Sequence, residues 1–416
     1  MSVETLAPAV DMDVLHGRLD ALVAINPLPP DGACRLALTA EDRAGRDQFA
    51  AWAQAAGLAL SVDAVGNMFA SLHGARPDLE PVMSGSHLDT VATGGRFDGA
   101  LGVVAALGVA EAMKASGKTL PRGLVVAAFT NEEGARFQPD MLGSLVHVGG
   151  LSVSEARDTV GVDGICLGDA LDEIGYAGPM PPGAITPSAF IELHVEQGPI
   201  LDAEGLTIGV VEGVQGISWQ EVTFEGEANH AGATPMRLRQ DAGRAALALG
   251  DTLNALTAQI DGLLATAGRI VMVPNLINVI PQRATITVDL RHPDDAALQK
   301  AEDCVGALAR EAAQAAGVSH ATRQLARFSP VPFDAGLQER IALAAEARGL
   351  PMRRLISGAG HDAQMLARTS KSAMIFAPSI DGISHNPAEA THREDIEKAV
   401  SVLGDVLWDL CCEESD

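Results

Sequence analysis

The sequence predicts an α/β protein whose chain is interrupted by a smaller α+β domain. Short apolar runs end in small and polar residues, as at 81–87 and 123–130, which is typical of strands buried in a parallel sheet. Between about 214 and 329 the pattern changes to half-solvated strands with two amphipathic helices. A chain of 416 residues exceeds the usual size of one core, so we expect one domain from 1–213 with 330–416 and a second from 214–329.

The composition describes an ordinary globular protein, with 47% hydrophobic and 20% charged residues. The net charge of −25 and the aromatic content of 3% argue against nucleic acid and anionic membrane surfaces as partners. No apolar run approaches the roughly 20 residues needed to cross a bilayer, and Met1–Thr5 lacks the pattern of a secretory signal. Because the five cysteines are scattered and lack metal-site spacing, we expect a reducing, cytoplasmic location.

The elements of the larger domain follow from periodicity and from the glycines that punctuate it. In chain order we predict helices at 10–25, 41–57 and 100–115, strands at 58–62, 67–72, 81–87, 123–129 and 189–196, short helices within 139–180, helices at 336–348 and 393–410, and a strand at 372–377. The strand at 189–196 alternates apolar and polar residues, which places Glu192, His194 and Glu196 on one side.

The inserted segment has its own order of elements. We predict a strand at 217–227, a helix at 241–256, strands at 268–273 and 283–291, and a helix at 295–316. This βαββα order indicates a small antiparallel sheet with two helices.

Polar side chains follow several predicted strands of the larger domain. They are His87 with Asp89, Asp98 before the next helix, Glu132 with Glu133, His194, and His385. Ligands of α/β proteins collect at the carboxyl edge of the sheet, so we expect these side chains to lie together. Singly, each has an ordinary interpretation, such as a helix cap for Asp98 or a solvated turn for the glutamates. Asp89 is within reach to orient the imidazole of His87.

The chemistry of these side chains gives the set a purpose. Imidazole and carboxylate suit Zn, Mn, Co or Ni. Two such ions about 3.5–4 Å apart activate water and polarise a carbonyl. A further carboxylate is then needed as a general base, close to the metal without binding it. The doublet Glu132-Glu133 offers one carboxylate for each task.

Three motifs resemble those of the dinuclear metallo-aminoacylase and peptidase clan: His87-Leu88-Asp89-Thr90-Val91, Gly95-Arg96-Phe97-Asp98-Gly99 and Asn131-Glu132-Glu133-Gly134. Four further stretches, at 133–137, 191–199, 229–236 and 357–363, are similar to those of hydantoinase/carbamoylase family amidases. That group holds N-carbamoyl-L-amino-acid hydrolases, β-ureidopropionases and allantoate amidohydrolases.

The resemblance implies a site for two divalent ions per subunit, with Zn as the first expectation and Mn, Co or Ni as alternatives. It assigns His87 and His194 to one ion, Glu133 and His385 to the other, Asp98 as the bridge, and Glu132 as the general base. The implied fold is an α/β catalytic domain with a central mixed sheet, interrupted by a ferredoxin-like lid and dimerisation domain, in a homodimer. Many peptidases of the clan have a carboxylate where this chain has His194, which favours the carbamoylase group.

The resemblance also implies substrate contacts from the inserted domain. His230 and Asn278 would reach the substrate carbonyl, with His230 stabilising the oxyanion, and Arg291 would clamp the substrate carboxylate. In such enzymes some of these residues come from the neighbouring subunit. From the residues alone, Arg291 is better explained as an ion pair with Asp289 or Asp294 at the end of a strand.

Two positions of the larger domain are placed to hold the other end of the substrate. They are Gln197, just past His194, and Gly358 in a glycine-rich loop. His361 lies beside that loop, where it could bond the substrate or brace the loop through Asp362.

The expected function is metal-dependent hydrolysis of the carbamoyl C–N bond of N-carbamoyl-L-amino acids, small ureido substrates with a carboxylate. Allantoate amidohydrolase and β-ureidopropionase activities are the nearest alternatives. An aminoacylase or dipeptidase is disfavoured by His194 and by the Arg136-Phe137 pair. A non-catalytic binding protein on the same fold would be expected to have lost a ligand or the base, whereas all are present.

Overall fold

The computed structural model describes residues 7–414. It divides into two compact units, Met1–Gly213 with Phe333–Asp416, and Val214–Pro332. The segment Met1–Thr5, where no secretory signal was found, lies outside the described residues. Among residues 7–414, no helix combines the length and the apolar composition needed to cross a bilayer.

The first unit carries most of the elements, numbered here along the whole chain. Its helices are α1 Met12–Val23, α2 Ala40–Ala55, α3 Ala100–Ala115, α4 Leu142–His147, α5 Val153–Arg157, α6 Leu167–Ile174, α7 Ile200–Glu204, α10 Ala335–Ala347, α11 Asp362–Leu366 and α12 Arg393–Cys411. Its strands are β1 Pro27–Leu28, β2 Gly32–Ala33, β3 Ala59–Val62, β4 Met68–Leu72, β5 Val82–His87, β6 Leu124–Phe129, β7 Ala189–Val195, β8 Ile208–Val214, β14 Met352–Ser357 and β15 Lys371–Ala377.

The central sheet of this unit is mixed, as predicted. Its strands run in the order β8-β15-β7-β5-β6-β4-β3, and β14 pairs with β8. The inner strands β15, β7, β5 and β6 are parallel neighbours, whereas β8 and β4 join them antiparallel. The carboxyl ends of four parallel strands therefore meet at one edge, and β5 lies between β6 and β7 at the point where the chain reverses its direction of travel across the sheet.

Burial explains why these segments form strands and helices. Every residue of β5 and β6 is buried, which confirms the interpretation of these apolar runs. Helix α3 is rich in alanine and valine and is buried nearly all round, so it packs into the core with α1, α10 and α12. Strand β7 differs from the expectation of an alternating strand because its polar side is covered as well. There Glu192 accepts hydrogen bonds from Ser86 Oγ (2.6 Å) and from the Ala363 amide (2.8 Å).

The second unit contains β9 Gly216–Glu225, α8 Ala242–Thr257, β10 Leu264–Val273, β11 Arg283–His292, α9 Asp295–Ala316, β12 Ser319–Phe328 and the two-residue strand β13 Val331–Pro332. Strands β10-β11-β9-β12 form an antiparallel sheet in that order, which is the ferredoxin-like arrangement of a βαββαβ chain. The fourth strand, β12, was not predicted. The role of this unit as a lid or dimerisation domain stays a prediction.

Candidate active site

The predicted metal ligands of the first unit meet at the carboxyl edge of its parallel strands. His87 ends β5, His194 lies near the end of β7, and Glu133 follows β6 by four residues. His385 lies in the loop after β15, and Asp98 lies two residues before α3. These residues are far apart in the sequence but close in space, because the carboxyl ends of four neighbouring parallel strands lie at the same edge of the sheet.

Asp98 is the centre of this arrangement. Its Oδ1 lies 3.2 Å from His194 Nε2 and 3.6 Å from His87 Nε2. Its Oδ2 lies 3.3 Å from His385 Nε2, and His385 Nε2 lies 3.4 Å from Glu133 Oε2. Two groups of candidate ligand atoms, each with its atoms within 4.8 Å of one another, share Asp98: His87-Asp98-His194 and Asp98-Glu133-His385. A third group among the described residues, Glu192-His194-His361, shares only His194 with them. Asp98 belongs to both of the first two groups, as a bridging ligand would.

The hydrogen bonds of two histidines show that these residues fit divalent cations. His87 Nδ1 lies 2.9 Å from the carbonyl oxygen of Asp89, and His194 Nδ1 lies 2.9 Å from that of Val195. A carbonyl oxygen only accepts, so Nδ1 carries a proton in both rings, and Nε2 is the atom of each ring that faces Asp98. Backbone carbonyls orient metal-binding imidazoles in this way, and a divalent cation fits the place that a proton would take between Nε2 and the Asp98 carboxylate.

Glycine 99 is required between these ligands. Its φ of 63° is in the left-handed region, and a Cβ there would lie 2.3–2.4 Å from three ring atoms of His87. The ring of His87 therefore rests directly against the first turn of α3, which fixes its distance from Asp98.

Burial and mutual repulsion set the charge states of the carboxyl groups. Burial raises the pKa of Glu132 well above its ordinary value despite the attraction of His87, and Asp362 and Glu133 add like-charge repulsion. Burial likewise raises the pKa of Glu133 to about 8, with Asp98 adding repulsion. Burial opposes the charge of Asp98 too, but hydrogen bonds with the histidines hold its pKa well below its usual range. The raised pKa means that Glu132 holds a proton more readily than a solvated glutamate does, a property that a proton carrier needs.

The prediction for the side chain of Asp89 is wrong. The atom that orients His87 is the backbone carbonyl oxygen of Asp89. The Asp89 carboxylate instead faces the turn that follows β6. It accepts the amide of Glu132 at 3.3 Å and the amide of Glu133 at 3.4 Å. Asp89 therefore holds the turn that carries Glu132 and Glu133, and Asn131 begins that turn with a φ of 55°.

A cavity of about 110 Å³ opens onto the ligands and Glu132. Gln197 lines it, and its Nε2 donates to Asp98 Oδ2 at 3.1 Å. The glycine-rich loop contributes Ala359 and Gly360 to the cavity wall. Among the described residues, these two line the cavity, and the predicted contact Gly358 precedes them in the loop. Asp140, which the sequence did not single out, lines the cavity as well.

His361 lines the cavity and also braces its wall. Its Nε2 lies 2.9 Å from Ser357 Oγ, and its ring stands edge-on to His194 with the centroids 4.7 Å apart. Burial, with repulsion from His194, holds the pKa of His361 well below its usual range. Asp362 does not serve this loop, since its Oδ1 accepts from Ser144 Oγ at 2.6 Å.

The second unit brings two of its three predicted substrate contacts together. The Ala231 amide donates to the Asn278 carbonyl at 3.0 Å, and a β-bridge joins His230 to Val279. His230 Nδ1 accepts the amides of Gly232 and Ala233, both at 3.1 Å. The proton of the neutral ring is therefore on Nε2, so His230 presents an N–H donor.

Arg291 lies apart from that pair. It forms an ion pair with Asp289 (2.9 Å), which is the alternative left open by the sequence. Arg291 is at the end of β11 that pairs with Leu264, whereas the Asn278 loop leads into the other end of β11 at Arg283. Eight residues of extended strand separate those ends by about 27 Å.

An edge of parallel strands that carries two groups of metal-ligand atoms and an adjoining buried carboxylate defines a metal-dependent hydrolase. The chain belongs to peptidase family M20/M25/M40, whose model matches residues 83–409, and within it to the hydantoinase/carbamoylase amidases. It is 39% identical over 395 residues to the N-carbamoyl-L-amino-acid amidohydrolase of Rhizobium meliloti, with 95% of each chain covered. It is 35% identical to the allantoate amidohydrolase of Escherichia coli (strain K12), with 93% of this chain and 95% of that protein covered. The chain is also similar to a hydantoinase/carbamoylase family amidase from Burkholderia multivorans whose crystal structure is known. The two sequences are 41% identical, the structures superpose with a TM-score of 0.95, and the match covers 98% of this chain and 100% of that one.

Proposed function

We propose that this chain is a cytoplasmic hydrolase of N-carbamoyl-L-amino acids, which yields the free amino acid, CO2 and ammonia. The observation that supports the proposal is the meeting of five candidate metal-ligand side chains and Glu132 around one cavity. The similarity to a relative named for this activity supports the substrate class. The five cysteines are free thiols, which is typical of a reducing compartment.

The proposed cofactor is a pair of divalent ions, with Zn first among ions that accept imidazole and carboxylate. His87 and His194 would hold one ion, Glu133 and His385 the other, and Asp98 would touch both. When bound, the pair would make a water molecule acidic and polarise the carbamoyl carbonyl.

Glu132 is the proposed proton carrier. Its carboxylate takes a proton from the attacking water and delivers it to the nitrogen of the departing amino acid, while the bond between that nitrogen and the carbamoyl carbon breaks. The carbamate that remains decomposes to CO2 and ammonia. The burial of Glu132, which is 8% exposed, excludes bulk water from this transfer.

The remaining substrate contacts are proposed from the chemistry of the donors. His230 presents its Nε2–H to the oxyanion, since its Nδ1 already accepts two amides. Arg291 forms an ion pair with Asp289. The substrate carboxylate would replace Asp289 as the bidentate partner of the guanidinium group. Gln197, Asn278 and the loop at Gly358 complete the contacts.

A homodimer is part of the proposal. About 27 Å of strand lies between the end of β11 at Arg291 and the end next to the Asn278 loop, so one inserted unit cannot offer both ends to the same small substrate. Two copies would supply one end each. Strand β10, at the edge of its sheet, exposes Ile270 (40%), Val271 (45%) and Val273 (38%), which a second copy would cover.

Complementation tests the shared site. Glu132→Gln and His230→Ala disable opposite contributions, so a mixed dimer restores one intact site. Co-refolding equal amounts should recover about a quarter of the wild-type activity if subunits exchange at random. No recovery, with mixed dimers demonstrated by tagged purification, would show that His230 serves its own subunit.

Ammonia release from a substrate panel tests the proposed function itself. N-carbamoyl-L-methionine should give the highest kcat/KM, above allantoate and N-carbamoyl-β-alanine. Highest turnover of allantoate would move the assignment to the activity named for the Escherichia coli relative. Cleavage of N-acetyl-L-methionine or a dipeptide alone would indicate an aminoacylase or dipeptidase. Binding of these compounds without turnover of any, in metal-loaded protein, would indicate a binding protein.

A further inference from the structure

Glu389 is a buried carboxylate that links the two loops carrying Asp98 and His385. It is 1% exposed. Its Oε1 accepts the amides of Phe97 (2.9 Å) and Asp98 (3.1 Å), and its Oε2 accepts from Ser384 Oγ at 3.3 Å. One side chain therefore fastens the backbone of the central ligand Asp98 and the residue that precedes His385.

The backbone opposite Glu389 is shaped to admit this carboxylate. A Cβ at Gly95 would lie 2.2 Å from Glu389 Oε1 and 2.3 Å from its Cδ. Only a residue without a side chain can occupy position 95 while Glu389 keeps its place. A second link, from Thr93 Oγ1 to the His385 carbonyl at 3.0 Å, joins the same two loops.

The Asp98-Glu133-His385 group depends on such links more than the other group does. The side chain of His385 is 53% exposed, whereas the side chains of His87 and His194 are 2% exposed. His385 also has a φ of 51°, a conformation that non-glycine residues adopt at a cost and that surrounding structure must hold. Packing therefore fixes the two buried histidines, while His385 is fixed by its loop.

We propose that Glu389 is a positioning residue that holds Asp98 and His385 in register and thereby maintains the second of the two metal positions. The inference rests on the proposed metal site and adds a residue to it. Because Glu389 acts through two backbone amides and a hydroxyl, its hydrogen-bond acceptors matter more than its charge. Outer-shell partners of metal ligands commonly change metal affinity 10–100-fold when they are removed.

The experiment is a calorimetric titration of the metal-free protein with Zn²⁺, together with the metal content after dialysis. Wild type should take up two ions per chain. Glu389→Ala should bind the second ion at least tenfold more weakly, and it should weaken the first ion less, because packing still holds His87 and His194. Gly95→Ala, which displaces the Glu389 side chain without removing it, should give the same result. Glu389→Gln should keep both ions, since its amide oxygen accepts the two backbone amides and its NH2 group can donate to Ser384 Oγ.

A matched control separates positioning from a general loss of structure. Glu196 is also a buried carboxylate that accepts two backbone amides, from Ile200 (2.9 Å) and Leu201 (2.8 Å). Glu196→Ala should lower stability and keep both ions. Two ions at wild-type affinity in Glu389→Ala, or loss of the second ion in Glu389→Gln and Glu196→Ala as well, would overturn the proposal.

The proposed function fails in a different way. Fewer than two ions in the wild type would contradict the metal site itself, before any variant is compared. If Glu389→Ala does not fold, the contrast between Gly95→Ala and Glu389→Gln decides the matter.

Discussion

Replacing Glu132 by glutamine removes the proposed proton carrier and leaves the shape of the site. The amide has the size of the carboxylate, and the backbone amide of residue 132 still reaches Asp89. Glutamine cannot take a proton from water. The variant should therefore fold, keep both ions and lose turnover.

The size of the loss follows from the role. General acid–base catalysis contributes about 10²–10⁴-fold, which corresponds to about 3–5 kcal/mol of transition-state stabilisation. The upper half of that range is expected, because Glu132 serves both proton transfers and is almost fully buried. Its distance of 3.4 Å from His87 Nε2 places it beside the ligands.

The assay compares kcat for ammonia release with metal content, using the neighbouring glutamate as the matched variant. Glu133→Gln changes the same chemical group one residue away, and it should lose metal as well as turnover. Glu132→Gln should retain two ions. A Glu132→Gln variant with kcat within tenfold of wild type would refute the assignment of the base, and one that loses metal like Glu133→Gln would make Glu132 a ligand.

Two further predictions concern carboxylates behind the site. Asp89→Ala should lower the free energy of unfolding by about 1–3 kcal/mol and reduce kcat at least tenfold, since the amides of Glu132 and Glu133 lose their acceptor; an unchanged kcat in steady-state assays would contradict this role. Burial raises the pKa of Asp63 to about 6, from an ordinary value of 3.8, so the folded protein binds more protons than the unfolded chain between these pH values and loses stability as the pH rises through them. Relative to wild type, Asp63→Asn should therefore gain up to about 3 kcal/mol between pH 4 and pH 7 in denaturant unfolding; a difference that does not change with pH would disprove the shift.

The elements predicted correctly are those whose pattern is strong over a short stretch of chain. Helix α3 runs over the predicted 100–115, and β6 is buried on both faces as its apolar composition indicates. Strand β12 was missed because it lies at an edge of its sheet, where most of its residues are exposed and no alternation marks it. Strands β8 and β14 were missed as well, since they pair with each other and β8 also pairs with β15, more than 130 residues further along the chain.

The site shows the same division between local and distant information. Residue types and the family resemblance predicted five candidate ligands and Glu132, and the structure brings these side chains together. The sequence could not show which atoms of Asp89 act, since its backbone and side chain serve different neighbours. Glu389 had no signal at all, because it reaches Asp98 across 291 residues of chain.

Five side chains from the ends of four strands are proposed to bind a pair of ions beside Glu132. Crystals grown with Zn²⁺ and measured at the zinc absorption edge test it most directly. We expect two anomalous peaks about 3.5–4 Å apart, one contacting His87 and His194, the other Glu133 and His385, with Asp98 contacting both. A single peak, or peaks held by other side chains, would contradict it.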